Sequence, residues 1–125
     1  MPVNSPFETA PSQLRSSRPT DVALWLLRQR RRLRVAGRSM LPLLEPGTEV
    51  LINPRAYRHH LPQPGDLVVA CHPHQPGLQL IKWVVYVAPE GCFLKGLNPA
   101  ASTDSREFGL VSCTEILGRV VCRFP

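Results

Sequence analysis

Residues 66–95 read DLVVACHPHQPGLQLIKWVVYVAPEGCFLK. Three runs in this stretch, Asp66–Cys71, Leu78–Val87 and Cys92–Lys95, are rich in aliphatic, β-branched and aromatic residues. Pro76-Gly77 and Glu90-Gly91 separate them as turn pairs. Such short runs with such short connections predict neighbouring antiparallel strands, because a parallel pair needs a crossover of a dozen residues or more. The same texture continues outward. Glu49–Ile52 lies before, punctuated by Pro46-Gly47 and Pro64-Gly65, and Ile116–Cys122 lies after. Fourteen prolines against eight glycines leave little room for long helices. The expectation is a mainly β, compact, barrel-like folded sheet with one short N-terminal helix. That helix is predicted over Asp21–Arg32, capped by Thr20 or Asp21, with Val22, Trp25, Leu26 and Leu33 on its apolar face. Arg28, Arg30, Arg31, Arg32 and Arg34 would suit its C-terminal dipole. Residues 1–19, rich in Pro, Ser, Thr and Asn, read as a flexible tail, leaving 20–125 as one domain.

The chain has 125 residues, 43% of them apolar, enough for one core. Fifteen cations against nine anions give a net charge of +6. Only two of those cations are lysines, Lys82 and Lys95. Arginine keeps its proton, whereas lysine can give it up when buried, so each lysine is a candidate for chemistry. The longest apolar run near the start, Val22–Leu27, falls far short of the ~20 residues that cross a bilayer. The basic residues cluster just after this run, at Arg28, Arg30, Arg31, Arg32 and Arg34, which does not fit a secretory signal. The cysteines at 71, 92, 113 and 122 form no C-x-x-C pair and are expected as reduced core thiols. A cytoplasmic location is expected, with a peripheral place at a membrane as the alternative.

Three segments could carry chemistry. In Gly37-Arg38-Ser39-Met40-Leu41-Pro42 a serine hydroxyl can stand at a strand end, with nearby N–H groups facing a developing oxyanion. Alone, such a string is usually an ordinary turn. Lys82 sits in Leu80-Ile81-Lys82-Trp83-Val84-Val85. It either alternates onto the solvent face or is desolvated there, which would lower its pKa. A neutral lysine amine can take a proton from a serine. The third segment is Gly96-Leu97-Asn98 with Ser102-Thr103-Asp104-Ser105-Arg106-Glu107-Phe108-Gly109. Ser102 could orient the amine, and Asp104 could pair with Arg106. The plain alternative is a polar Asx/Ser loop.

Taken in order, G-x-S-M-x-P, P-G-D-ϕ-V-V, ϕ-I-K, G-x-N and S-x-D-S-R-x-F-G resemble the boxes of type I signal peptidases, from about Val35 to Val120. The resemblance implies a folded β-sheet domain of the kind shared with LexA-type repressors. It implies a serine endopeptidase with Ser39 as nucleophile and Lys82 as general base. By the same resemblance, Ser102 orients the lysine, Met40 packs beneath the nucleophile, and Asp104 with Arg106 forms a structural pair. The Ser39 backbone N–H would donate to the oxyanion. No cofactor or metal is implied, and the partner is a precursor protein carrying a leader peptide. Three residues depart from the pattern. Gly37 stands where some members carry a hydroxyl that completes the oxyanion hole, Leu97 replaces an aspartate, and Trp83 replaces an arginine. The short interval between Val87 and Gly96 leaves no room for a second domain, and no anchor is recognisable before the serine box. These features resemble small members that mature nickel-type superoxide dismutase by removing its leader.

Other readings compete. General processing of exported precursors is one. A LexA-type self-cleaving domain is another, but Ala36-Gly37 lies too close to Ser39 to loop back into its own site. A nickel-binding accessory protein could use Cys71, His72 and His74 with His59 and His60. The arginines at 28–34 carry no base-reading motif, so nucleic acid is not expected as a partner. With Trp25 beside them, weak contact with a membrane surface is conceivable.

Overall fold

The computed structural model describes residues 9–125. Helix α1 (Pro19–Leu26) is followed by strands β1 (Arg31–Arg34), β2 (Glu49–Asn53), β3 (Leu67–Cys71), β4 (Gln79–Ala88) and β5 (Gly91–Lys95). A one-turn helix α2 (Ser105–Phe108) and strand β6 (Ile116–Phe124) complete the order. All six strands join one antiparallel sheet in the order β1-β2-β6-β3-β4-β5. Register shifts between Leu51 and Ile52, Val69 and Ala70, and Val84 and Tyr86 place a bulge in three of the pairings. Bulges bend and twist a strand pair, which gives the sheet its half-barrel curl. The mainly β expectation holds, and five of the strands start and stop within two residues of the expected runs.

The sheet carries apolar residues on both faces. Leu67 and Val69 of β3 join a core with Val50, Ile52, Trp83 and Val120. Val68 and Ala70, on the opposite face, join Val84, Cys92, Leu94 and Ile116. This explains why β3 is apolar at consecutive positions instead of alternating. The loop after β1 covers the first core with Val35, Met40, Leu43 and Leu44, all buried. Burial stabilises each of these large side chains by about 1.5–3 kcal/mol. The loop is therefore held firmly at the residues flanking Ser39.

The N-terminal region differs from expectation. α1 ends at Leu26, and Asp21 is its buried residue. Asp21 does not cap the helix from outside. It lies inside the first turn, accepts from the Arg18 N–H at 2.7 Å, and takes two bonds from Arg15 at 2.6 and 2.9 Å. The arginines expected at the helix end instead leave it through a turn, and Arg31–Arg34 becomes edge strand β1. Arg32 pairs with Glu49 at 2.6 Å, and its guanidinium lies over the rings of Trp25 and Phe124. Leu26 is exposed and Leu33 only half-buried, so the expected apolar face does not form. Of the stretch read as a tail, Leu14 packs against the first core and Ser16 bridges to Arg123 on β6. Residues 1–8 lie outside the described part. No described helix is long and apolar enough to cross a membrane.

Candidate active site

Ser39 follows β1 in the loop whose next residue, Met40, is 1% exposed. Met40 is packed into the first core, and its burial holds the backbone on which Ser39 is displayed. The Ser39 carbonyl accepts from the Asn98 N–H at 2.9 Å, and the Arg38 carbonyl accepts from the Asn98 side-chain amide at 3.1 Å. Asn98 therefore clamps the loop from the opposite side. Sequence reading noted it only as part of the G-x-N string. Among the described residues the Ser39 N–H has no hydrogen-bond partner, so it is available to a ligand.

Lys82 lies in the middle of β4, opposite Val68 on β3, and is 3% exposed. It does not alternate onto a solvent face, because both faces of the sheet are covered there. Its Nζ donates to Ser102 Oγ at 3.2 Å. The Ser102 hydroxyl in turn donates to Asp104 Oδ2 at 3.1 Å. Asp104 is fully buried and accepts four more bonds: from Gly96 N–H, and from Arg106 N, Nε and Nη2, at 2.9–3.1 Å. The pairing of Asp104 with Arg106 matches the sequence reading. Burial works against the carboxylate charge, but the bonds from Arg106 and Gly96 outweigh it and hold its pKa below the usual range. For Lys82 the balance falls the other way. Burial lowers the amine's pKa, the Asp104 carboxylate raises it, and Arg106 lowers it again, with burial decisive.

Gly96 makes this packing possible. A methyl group there would fall 2.2 Å from Ser102 Oγ and 2.8 Å from the Ser39 carbonyl oxygen. Any side chain at 96 would therefore push apart the two loops that carry the serines.

Ser39 and Lys82 line the same two clefts, of about 290 and 110 Å³. The larger is also walled by Arg38, His72, Leu80 and Ala101. No hydrogen bond joins Ser39 Oγ to Lys82 Nζ in this structure. Catalytic contacts of this kind are often long without substrate and tighten when it binds. The histidines on which the competing metal-binding reading rests do not gather with Cys71. The His72 Nδ1 accepts from the backbone of His74 and Gln75, and His60 packs edge-on against Tyr57. Among the described residues no three His, Cys, Asp or Glu side chains gather as a metal site.

The profile of the signal peptidase family, peptidase S26, matches residues 22–92, a span that includes Ser39 and Lys82 and stops before Ser102. The chain is also similar to the mitochondrial ATP-independent inner membrane protease subunit 1b of Arabidopsis thaliana. The two are 34% identical over 110 residues, covering 70% of this chain and 65% of the relative. With the profile spanning more than half of its length and the serine and lysine boxes within that span, the chain belongs to the S26 signal peptidase family.

Proposed function

We propose that this chain is a serine endopeptidase that removes an N-terminal leader from a precursor protein. Residues 20–125 are its catalytic domain, Ser39 its nucleophile and Lys82 its general base. The observation that carries the proposal is a buried lysine amine that shares a cleft with a serine on a clamped loop. The Ser102 hydroxyl donates its hydrogen bond to Asp104 and so offers Lys82 a lone pair. One N–H of the amine is engaged there. Its own lone pair is left for the Ser39 proton, provided the amine is neutral, and burial favours that form.

Lys82 accepts the Ser39 proton as Oγ attacks the scissile carbonyl. The Ser39 N–H stabilises the oxyanion. Lys82 returns the proton to the leaving amine, and an acyl-enzyme forms. Lys82 then activates a water that releases the new acid. Asp104 and Arg106 act as positioning residues for Ser102.

The finer proposal is that the substrate is the leader of a nickel-type superoxide dismutase. Its support is the two-residue connection at Pro89-Glu90 between β4 and β5, which holds no second domain, together with the resemblance to small members of that kind. Weak contact with an anionic membrane belongs to the same proposal. Leu26 and Leu27 are 68% and 67% exposed beside Arg28, a surface suited to an interface. Sedimentation with anionic vesicles tests that contact, and no binding at low salt removes it.

The main test is incubation with precursor, followed by mass spectrometry of the new N-terminus. Ser39→Ala and Lys82→Met are each expected to abolish cleavage while keeping the fold. Residual processing by either variant points to another nucleophile or base. Cleavage of general export precursors, but not of the dismutase precursor, would replace the finer proposal.

A further inference from the structure

Cys92 lies on β5 and is buried, whereas Cys113 sits half-exposed in a one-turn 3-10 helix, Cys113–Glu115. Their sulfurs are 3.9 Å apart. The backbones around them are held together independently. Cys92 N–H donates to the Val111 carbonyl at 2.7 Å, and Val111 N–H donates back at 2.9 Å. Gly91 permits this approach, since a methyl group there would fall 2.3 Å from the Val111 carbonyl oxygen. The two thiols are thus kept close by main-chain contacts that neither of them makes.

We propose that Cys92 and Cys113 form a reversible disulfide, with a low-molecular-weight disulfide of the glutathione class as oxidant. The bond goes beyond the peptidase reading, and its test needs no substrate. A disulfide requires the sulfurs to close from 3.9 Å to about 2.05 Å. Side-chain rotation supplies that movement on the Cys113 side, where the single helical turn is at the surface. Cys113 reacts first because it is the accessible thiol. Its thiolate displaces one thiol from the oxidant and forms a mixed disulfide. The Cys92 sulfur, losing its proton, then attacks Cys113 Sγ and releases the second thiol. Two protein thiols are oxidised by two electrons, and one small disulfide is reduced to two thiols. Burial raises the pKa of the Cys92 thiol, so the second step is the slow one.

The ring closed by this bond contains Gly96, Asn98, Ser102, Asp104 and Arg106. These residues, which hold Ser102 beside Lys82 and clamp the Ser39 loop, therefore lie inside it. Oxidation would staple this loop to β5 and restrict it in the unfolded chain, raising stability without touching Ser39 or Lys82.

The experiment treats the whole protein with oxidised glutathione, blocks the remaining thiols, and maps peptides without reduction. Free thiols are expected to fall from four to two. A Cys92–Cys113 cross-link should appear, and the melting temperature should rise by about 5 °C or more. Dithiothreitol should reverse all three changes. Cys113→Ser should abolish the link and the rise, while Cys71→Ser should keep both. A persistent glutathione adduct on Cys113, a link through Cys71 or Cys122, or four unreacted thiols would overturn the proposal.

Discussion

Asp104→Asn tests the buried relay with a single atom change. Asp104 accepts five hydrogen bonds, two on Oδ1 and three on Oδ2. An amide presents one oxygen and one NH2. The less costly orientation keeps Gly96, Ser102 and Arg106 Nη2 on the oxygen and turns the NH2 toward Arg106 N and Nε. Two donors then face a donor, and the buried ion pair loses its anion. Each unsatisfied buried group costs about 1–3 kcal/mol. Breaking a fully buried pair costs about 3–5 kcal/mol. The Arg106 side chain is 22% exposed, so water recovers part of its solvation. The expected loss is therefore about 3 kcal/mol, read as a fall in the midpoint of urea unfolding at unchanged slope. A second readout follows from the charges. The Asp104 carboxylate raises the Lys82 pKa and Arg106 lowers it. Removing the carboxylate leaves only the lowering influence, so the acid limb of kcat/KM for precursor cleavage should move to lower pH. A stability loss under about 1 kcal/mol, or a limb that moves to higher pH, would refute this reading of Asp104.

Three further outcomes are expected. Gly96→Ala should cut the cleavage rate by about a hundredfold or more, because its methyl group displaces Ser102 and the Ser39 loop; near-normal turnover would show that those contacts are dispensable. Met40→Ala should cost about 2–5 kcal/mol in unfolding experiments, since it empties a fully buried site beneath Ser39. Asp21 and Asp104 both have pKa values below 3.8 in the folded protein. The unfolded chain therefore binds their protons first as pH falls. Stability should be intact above about pH 5 and decline as pH drops through 3.8 toward the folded values, with Asp21→Asn flattening part of the decline.

The strands were legible where the sequence itself carries the signal. β3 and β4 are apolar runs with Pro-Gly or Glu-Gly at their ends, and the structure places them there. β1 was not legible. Arg31-Arg32-Leu33-Arg34 has one apolar residue and no strand propensity, and it pairs only because β2 offers an edge and Glu49 and Trp25 take up the Arg32 charge. Local reading extended the helix through these arginines, since nothing in their order marks its end at Leu26. In the site, Asp104 and Arg106 were legible because they are two residues apart. The contact of Lys82 with Ser102 spans twenty positions; the residues offer it as one possibility beside a plain polar loop, and the order of the boxes favours it. The clamp by Asn98 and the crowding at Gly96 were invisible, because both depend on loops brought together from distant parts of the chain.

Catalysis by this site requires Lys82 to be a buried amine that can stay neutral. The chain has two lysines, so selective labelling of the lysine side chains gives two NMR signals, and Lys82→Met assigns them. The Lys82 signal should titrate below the usual lysine value of 10.5, and the acid limb of kcat/KM should follow the same pKa. A Lys82 signal that titrates at or above 10.5 would contradict it.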